Sequence, residues 1–295
     1  TYKKANRVVN VSATDAAFEA VEAPVDEVVV PREEGEIEER PLMDLEAERA
    51  RAARLFPRPP ENFRTEEVDG VRWVYPVRMA AYAEDLQEVY RDKWPELVAE
   101  FGREVDGSME VRLTRNPDEM RELAPALAPP PAYATGVAYT TLGVIVLSAV
   151  APESWEVPDL ETVFVHELSH IALRRAVSGH PLPRWFVEGV AIEQANESSF
   201  ERLKTLWRGE SGGTLVPLDQ LAANFPARPY EANLAYAQAA DVVAFLRSGE
   251  GDARRFAALI DELEEGDGFA SALRDAYALT PGQLERDWRD ALHER

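Results

Sequence analysis

The chain has no cysteine. Disulfides, thiolate zinc sites, iron–sulfur clusters and a cysteine nucleophile are thereby excluded. Positive charge is also short: 32 Lys and Arg stand against 54 Asp and Glu, a net charge of −22. A nucleic-acid surface needs clustered cations, so no nucleic-acid partner is expected. No apolar run reaches the roughly 18 residues of a membrane-spanning helix. The longest apolar-rich stretch, Val144 to Pro152, is strand-sized. What is present is a 45% hydrophobic composition over 295 residues, at a mean hydropathy of −0.33. That is enough to bury a core over most of the length. The length fits two domains of about 150 residues, or one large domain with a tail. The chain begins at Thr1 rather than Met, which reads as a fragment or processed form with any leader or anchor upstream.

The first sixty residues differ from the rest. Two short β-prone runs, Arg7 to Val11 and Glu27 to Val30, are separated and followed by acidic sequence that ends in Arg32 to Arg40. A short helix is expected from Met43 to Leu55, broken by Phe56-Pro57-Arg58-Pro59-Pro60. Such low hydrophobicity does not offset chain entropy alone, so disorder or docking on the main body is expected. The segment reads as an acidic tether. The sharper alternative is that one of its Val runs adds a strand to an open sheet edge.

A compact region starts near Asn62. Asp69-Gly70 between two β-prone runs, Phe63–Val68 and Val71–Tyr75, reads as a hairpin turn. Ala80 to Phe101 shows helical spacing, with Pro95 as a start or kink. Strands are expected at Glu110–Thr114, Gly136–Thr140 and Val144–Ser148, and a short helix from Pro117 to Leu123. From Asp159 onward the pattern is helical, apart from Ser211-Gly212-Gly213 and a Pro226–Pro229 loop. Strands with a few helices followed by helices alone argue for an α+β fold. The expected division is a tail over 1–61, a mixed small-sheet subdomain over 62–197 and an all-helical subdomain over 198–295. The Trp residues at 73, 94, 155, 185, 207 and 288 fall in amphipathic patterns and are expected in the core.

The informative stretch runs from Asp159 to His170. Asp159 after Pro158 is a good N-cap, Arg174 and Arg175 suit the negative helix end, and Gly179 lies beyond it. His166 and His170 are four apart, about one turn of helix, so both imidazoles project to one side. Two such nitrogens can bind one zinc, and Glu167 sits beside the first to act on a water: the H-E-x-x-H pattern. The bland alternative is a surface histidine pair. With only four His in the chain, the pattern arises by shuffling in under about one chain in 100. A third ligand is needed. The metzincin spacing puts Leu173 and Ala176 where Gly and His would stand, and a deformylase-like site needs Cys. Glu188, in Pro183-Arg184-Trp185-Phe186-Val187-Glu188-Gly189-Val190-Ala191, lies eighteen residues past His170, room for the chain to turn and return. Flanked by large apolar residues, it would be poorly solvated without a partner. Gly189 and Ala191 allow close helix packing. His180 and His293 read as loop and terminal histidines, and Arg184 as a surface charge or a group that binds a substrate carboxylate.

The two segments together resemble the gluzincin metallopeptidases of the thermolysin and aminopeptidase N type, especially their minimal single-catalytic-domain bacterial relatives, over about Phe63 to the C-terminus. The resemblance implies a zincin-like fold, with an active-site helix behind a small sheet whose edge strand pairs with the substrate. Gly136, Val137 and Ala138 look like that strand; a plain core strand is the alternative. It implies one Zn2+ per chain on His166, His170 and Glu188, with Glu167 as general base. It also implies a Tyr or His that holds the oxyanion: Tyr236, in Leu234 to Val243, matches the Tyr-bearing segment of the minimal members, with Tyr230 as its rival. Many relatives carry an acid four residues after the third ligand to orient a zinc histidine. That position is Ile192 here, leaving Glu193 or a backbone carbonyl for the role. The activity implied is hydrolysis of peptide or protein substrates. Endopeptidase action is favoured because no Glu lies near Gly136 to bind a substrate amine. A zinc-bearing binding or scaffold module of the same fold is the alternative. The sequence does not fix the compartment; the bacterial cell envelope, periplasm or exterior is favoured.

Overall fold

The computed structural model describes residues 50, 54–102, 109–131, 134–150, 159–197, 200–226, 228–249 and 252–295. The Val8–Val11 and Val28–Val30 runs, most of the helix expected over Met43–Leu55, and Trp155 lie outside the described residues. The architecture is mixed α+β. A five-stranded sheet is built from β1 (Phe63–Val68), β2 (Val71–Pro76), β3 (Met109–Thr114), β4 (Gly136–Tyr139) and β5 (Val144–Ser148). Its order is β1-β2-β3-β5-β4, with parallel pairing of β2/β3 and β3/β5 and antiparallel pairing at both margins. The β1–β2 turn needs positive φ at both central residues, which Asp69 (53°) and Gly70 (75°) adopt.

Side-chain alternation gives the sheet two packed faces. Trp73, Val111, Leu113, Ile145 and Leu147 point toward α1 (Ala80–Ala99) and α3 (Leu160–Ala176). Val144, Val146, Val137 and Tyr139 point the other way, onto Met120 of α2 (Pro117–Glu122) and Phe56. Phe56 packs on this face: its ring meets Tyr139 edge-on at 5.1 Å, and buried Arg112 lies over it while donating to Pro57 O at 2.8 Å. Pro95 stands inside α1 without ending it.

The remaining helices are α4 (Arg184–Gln194), α5 (Phe200–Ser211), α6 (Pro229–Arg247), α7 (Asp252–Glu264), α8 (Phe269–Tyr277) and α9 (Pro281–His293). Ala172 and Leu173 of α3, Trp185, Phe186 and Val190 of α4, and Ala235, Val243, Phe256, Leu273 and Trp288 form their common core. Helix α3 therefore faces the sheet with Val163, Phe164 and Leu168 and the helical layer with its last turns. No helix among the described residues is long and apolar enough to cross a membrane.

Two expectations are corrected, and a third is made specific. The two breaks expected after Ser211 and around Pro226 belong to one connection from 212 to 228, including the segment read as helical. Buried Gln238 explains it: its amide accepts from Val216 N–H (2.9 Å) and donates to Val216 O (2.8 Å), so that backbone is held by a side chain and not by a helix. Trp207 is 41% exposed and is not a core residue, whereas Trp73, Trp185 and Trp288 are buried. The close approach allowed by Gly189 is to α6: a Cβ there would stand 2.3 Å from Ala239 O.

Candidate active site

Helix α3 starts where Asp159 caps it, its carboxylate accepting from Thr162 N–H at 2.9 Å. It ends in a Schellman arrangement, with Ser178 N–H on Arg175 O and Gly179 N–H on Arg174 O, and φ of 49° and 76° at the two residues. Between these stops, His166 and His170 lie one turn apart, with ring centroids 4.7 Å apart. Helix α4 brings Glu188 over them, its Oε2 3.7 Å from His166 Nε2 and 3.9 Å from His170 Nε2. The ligating atoms of the three side chains all fall within 4.8 Å of one another, so they form a group that could hold a metal ion. Two imidazole nitrogens and one carboxylate are a zinc donor set that leaves a position open. The three side chains keep 17%, 14% and 14% exposure, shielded but reachable from solvent.

Buried Ser169 and half-buried Gln194 align the two helices. Ser169 Oγ donates to Gln194 Oε1 at 2.6 Å, and Gln194 Nε2 donates to Glu100 (2.8 Å) and Leu97 O (3.2 Å). This spans α3, α4 and the end of α1, so the spacing of His170 and Glu188 is set by a network and not by one contact.

An acid beyond the end of α4, Glu197, reaches the first histidine. His166 Nδ1 donates to its Oε1 at 2.8 Å, which leaves Nε2 to face Glu188. Glu197 is held in turn by Arg202, whose guanidinium is 2.6 Å from Oε2 and 3.1 Å from its backbone carbonyl. The sequence did not single out this acid, and the helix end is what brings it here. Asn196 turns at φ 52° and closes a second Schellman arrangement, Asn196 N–H on Glu193 O and Glu197 N–H on Ile192 O. The chain folds back there, and the Glu197 side chain reaches His166. An Asn at a helix stop followed by an acid was the available signal.

Glu167 sits against the sheet margin. It accepts the backbone N–H of Ala138 on β4, the edge strand. The approach needs Gly136: a Cβ there would lie 2.6 Å from Val163 Cγ1 and 2.9 Å from Glu167 Cγ. Ser148 N–H pairs with Thr135 O, so antiparallel alternation turns the amide groups of Gly136 and Ala138 away from β5.

As protein groups alone, the cluster is strongly polarised. Burial raises the Glu167 carboxyl to about 7, with neighbouring His166 pulling it down and Glu188 pushing it up. Burial opposes charge on His166, but the carboxylates of Glu188 and Glu197 outweigh it and raise the imidazole to about 10. Burial together with the charge on His166 lowers His170 to about 4. Burial pushes Glu188 up, but its hydrogen bond to His166 and the charge on His170 win and lower it to about 2. Several titratable groups displaced in opposite directions within one recess are typical of a catalytic site.

Tyr236 lies on α6, the helix against which Gly189 packs, and its ring meets Phe225 edge-on at 4.8 Å. Phe225 stacks under the Arg184 guanidinium at 5.3 Å, and Arg184 Nε is 3.7 Å from Glu188 Oε1. Tyr236 is thus joined to the Glu188 flank through one aromatic ring. Tyr230 is 50% exposed at the start of α6. His180 packs by Gly266, and exposed His293 pairs with Glu210 at 2.9 Å, both away from the cluster.

No curated protein matches the chain. The family model of the peptidase MA superfamily matches residues 95–294, which hold every side chain of the cluster. With two thirds of its length inside that match, the chain belongs to the peptidase MA superfamily.

Proposed function

We propose that the protein is a zinc-dependent metallopeptidase of the gluzincin type, with a zincin-like fold, acting as an endopeptidase. The observation that carries this is the convergence of His166, His170 and Glu188 within 4.8 Å, with Glu167 between that group and the sheet edge. The donor set suits a single zinc, and Glu197 on His166 Nδ1 supports the tautomer that ligation at Nε2 requires. When bound, zinc supplies a Lewis acid that acidifies water and polarises a carbonyl.

The chain's own groups account for the rest. An extended peptide pairs with the outward backbone groups of β4 that Glu167 does not take, the Gly136 N–H among them, which sets its scissile carbonyl beside Glu167. Glu167 takes a proton from the attacking water. The water oxygen adds to the carbonyl carbon, and the Tyr236 hydroxyl donates to the oxyanion. Glu167 then passes the proton to the leaving nitrogen and the C–N bond breaks. Ala134 to Gly143, around the edge strand, contains no acid to hold a substrate amine, which favours internal bonds over N-terminal ones.

Zinc-loaded protein is incubated with casein and a peptide library, with and without chelator. Cleavage that chelator abolishes and zinc restores is expected. Glu167→Gln keeps stoichiometric zinc and loses about 10²–10⁴-fold in rate. Full turnover in that variant overturns the mechanism. Zinc binding with no turnover by the wild type makes the protein a binding module. Unchanged zinc affinity in Glu188→Ala moves the third ligand elsewhere.

A further inference from the structure

Arg184 neither moves a proton nor offers a metal ligand, yet the fold is built around it. It is the first residue of α4, one turn before Glu188. A cation there opposes the positive end of the helix dipole, so its placement needs another cause. The 212–228 connection grips it twice: Ala222 O accepts its backbone N–H at 2.8 Å, and the Phe225 ring lies 5.3 Å from the guanidinium carbon. Phe225 is braced edge-on by Tyr236. The side chain stays 22% exposed, and its Nε lies 3.7 Å from Oε1 of Glu188. Its charge is felt at His170 and Glu188. The helix end itself is not an anion site. The amides of Arg184, Trp185, Phe186 and Val187 already donate to Ala222, Leu221 and Pro183 carbonyls.

We propose that Arg184 is a specificity-determining residue that binds a carboxylate of the substrate on the Glu188–His170 flank of the site. The inference rests on the peptidase reading. Once Glu188 gives its charge to a metal, its attraction for Arg184 weakens. The guanidinium is a planar fork of donors that lies against an aromatic ring. That geometry matches a carboxylate and is not reproduced by lysine. In a chain of net charge −22, a cation at this point admits an anionic group that the surface otherwise repels. The carboxylate is an acidic side chain or the C-terminus of the peptide.

Zinc-loaded Glu167→Gln protein binds without turnover and is titrated with matched peptides by fluorescence anisotropy. One series places Glu or Gln at successive positions; the other compares free and amidated C-termini. At least one carboxylate form binds about tenfold tighter than its neutral twin. Adding Arg184→Gln removes that gain, Arg184→Lys returns only part of it, and zinc stoichiometry and neutral-peptide affinity hold. The arm that shows the gain identifies the source of the carboxylate. Absence of any carboxylate preference overturns the proposal. So does a loss of zinc affinity in Arg184→Gln with all peptides weakened alike, since Arg184 would then only position Glu188. If no peptide binds, the peptidase reading falls, and glutarate becomes the probe: Arg184-dependent binding sustains the carboxylate site, and no binding ends it.

Discussion

His166 Nδ1 donates to Glu197 Oε1 at 2.8 Å, joining the first histidine of the H-E-x-x-H helix to an acid in the turn beyond the next helix. The bond fixes the ring and its tautomer, and Arg202 fixes the acid. Orienting partners of this kind carry about 10–100-fold in metal affinity. Glu197→Ala therefore weakens zinc binding by about that factor, measured by competition with a chromophoric chelator. Wild-type affinity would show that His166 needs no holder.

Gly136→Ala separates catalysis from metal binding. The new Cβ would meet Val163 and Glu167 at 2.6 and 2.9 Å, so β4 and the Glu167 carboxylate move apart. A displacement of about 1 Å at a reacting group costs about 100-fold in rate. Zinc affinity should stay within a few fold, because the ligands proposed for it sit on α3 and α4. Unimpaired kcat would mean that the strand shifts without cost to Glu167.

Gly189→Ala acts on the fold and on the metal together. Its Cβ would stand 2.3 Å from Ala239 O and 2.6 Å from Val243 Cγ2, and helix backbone does not yield as a flexible side chain does. Overpacking of this kind costs about 1–3 kcal/mol. Thermal unfolding reads the loss, and zinc affinity falls with it because Glu188 is the adjacent residue. An unchanged Tm would show that α4 and α6 part freely.

Tyr236→Phe should lower kcat by about 10²–10³ with KM little changed, as for removal of one oxyanion donor. Tyr230→Phe should be near wild type, since Tyr230 is half exposed at the start of α6. The reverse outcome, an active Tyr236→Phe and a dead Tyr230→Phe, moves the donor to Tyr230.

The parts legible in the sequence are those with a local cause. His166 and His170 share a face because a helix repeats every 3.6 residues, whatever it packs against. Asp69-Gly70 turns, Asp159 caps and Gly179 stops because their backbone preferences act within a few residues. Glu188 could be named because a carboxylate among large apolar neighbours needs a partner. The tertiary structure decided the rest, because side-chain partners depend on which elements become neighbours in space. Glu197 reaches His166 because the turn at Asn196 swings it back. The 214–225 segment leaves the helical pattern it suggests, since Gln238 from α6 takes both backbone groups of Val216. Gly189 serves α6, and Phe225 serves Arg184, for the same reason: a period along the chain marks a face but does not say what will cover it.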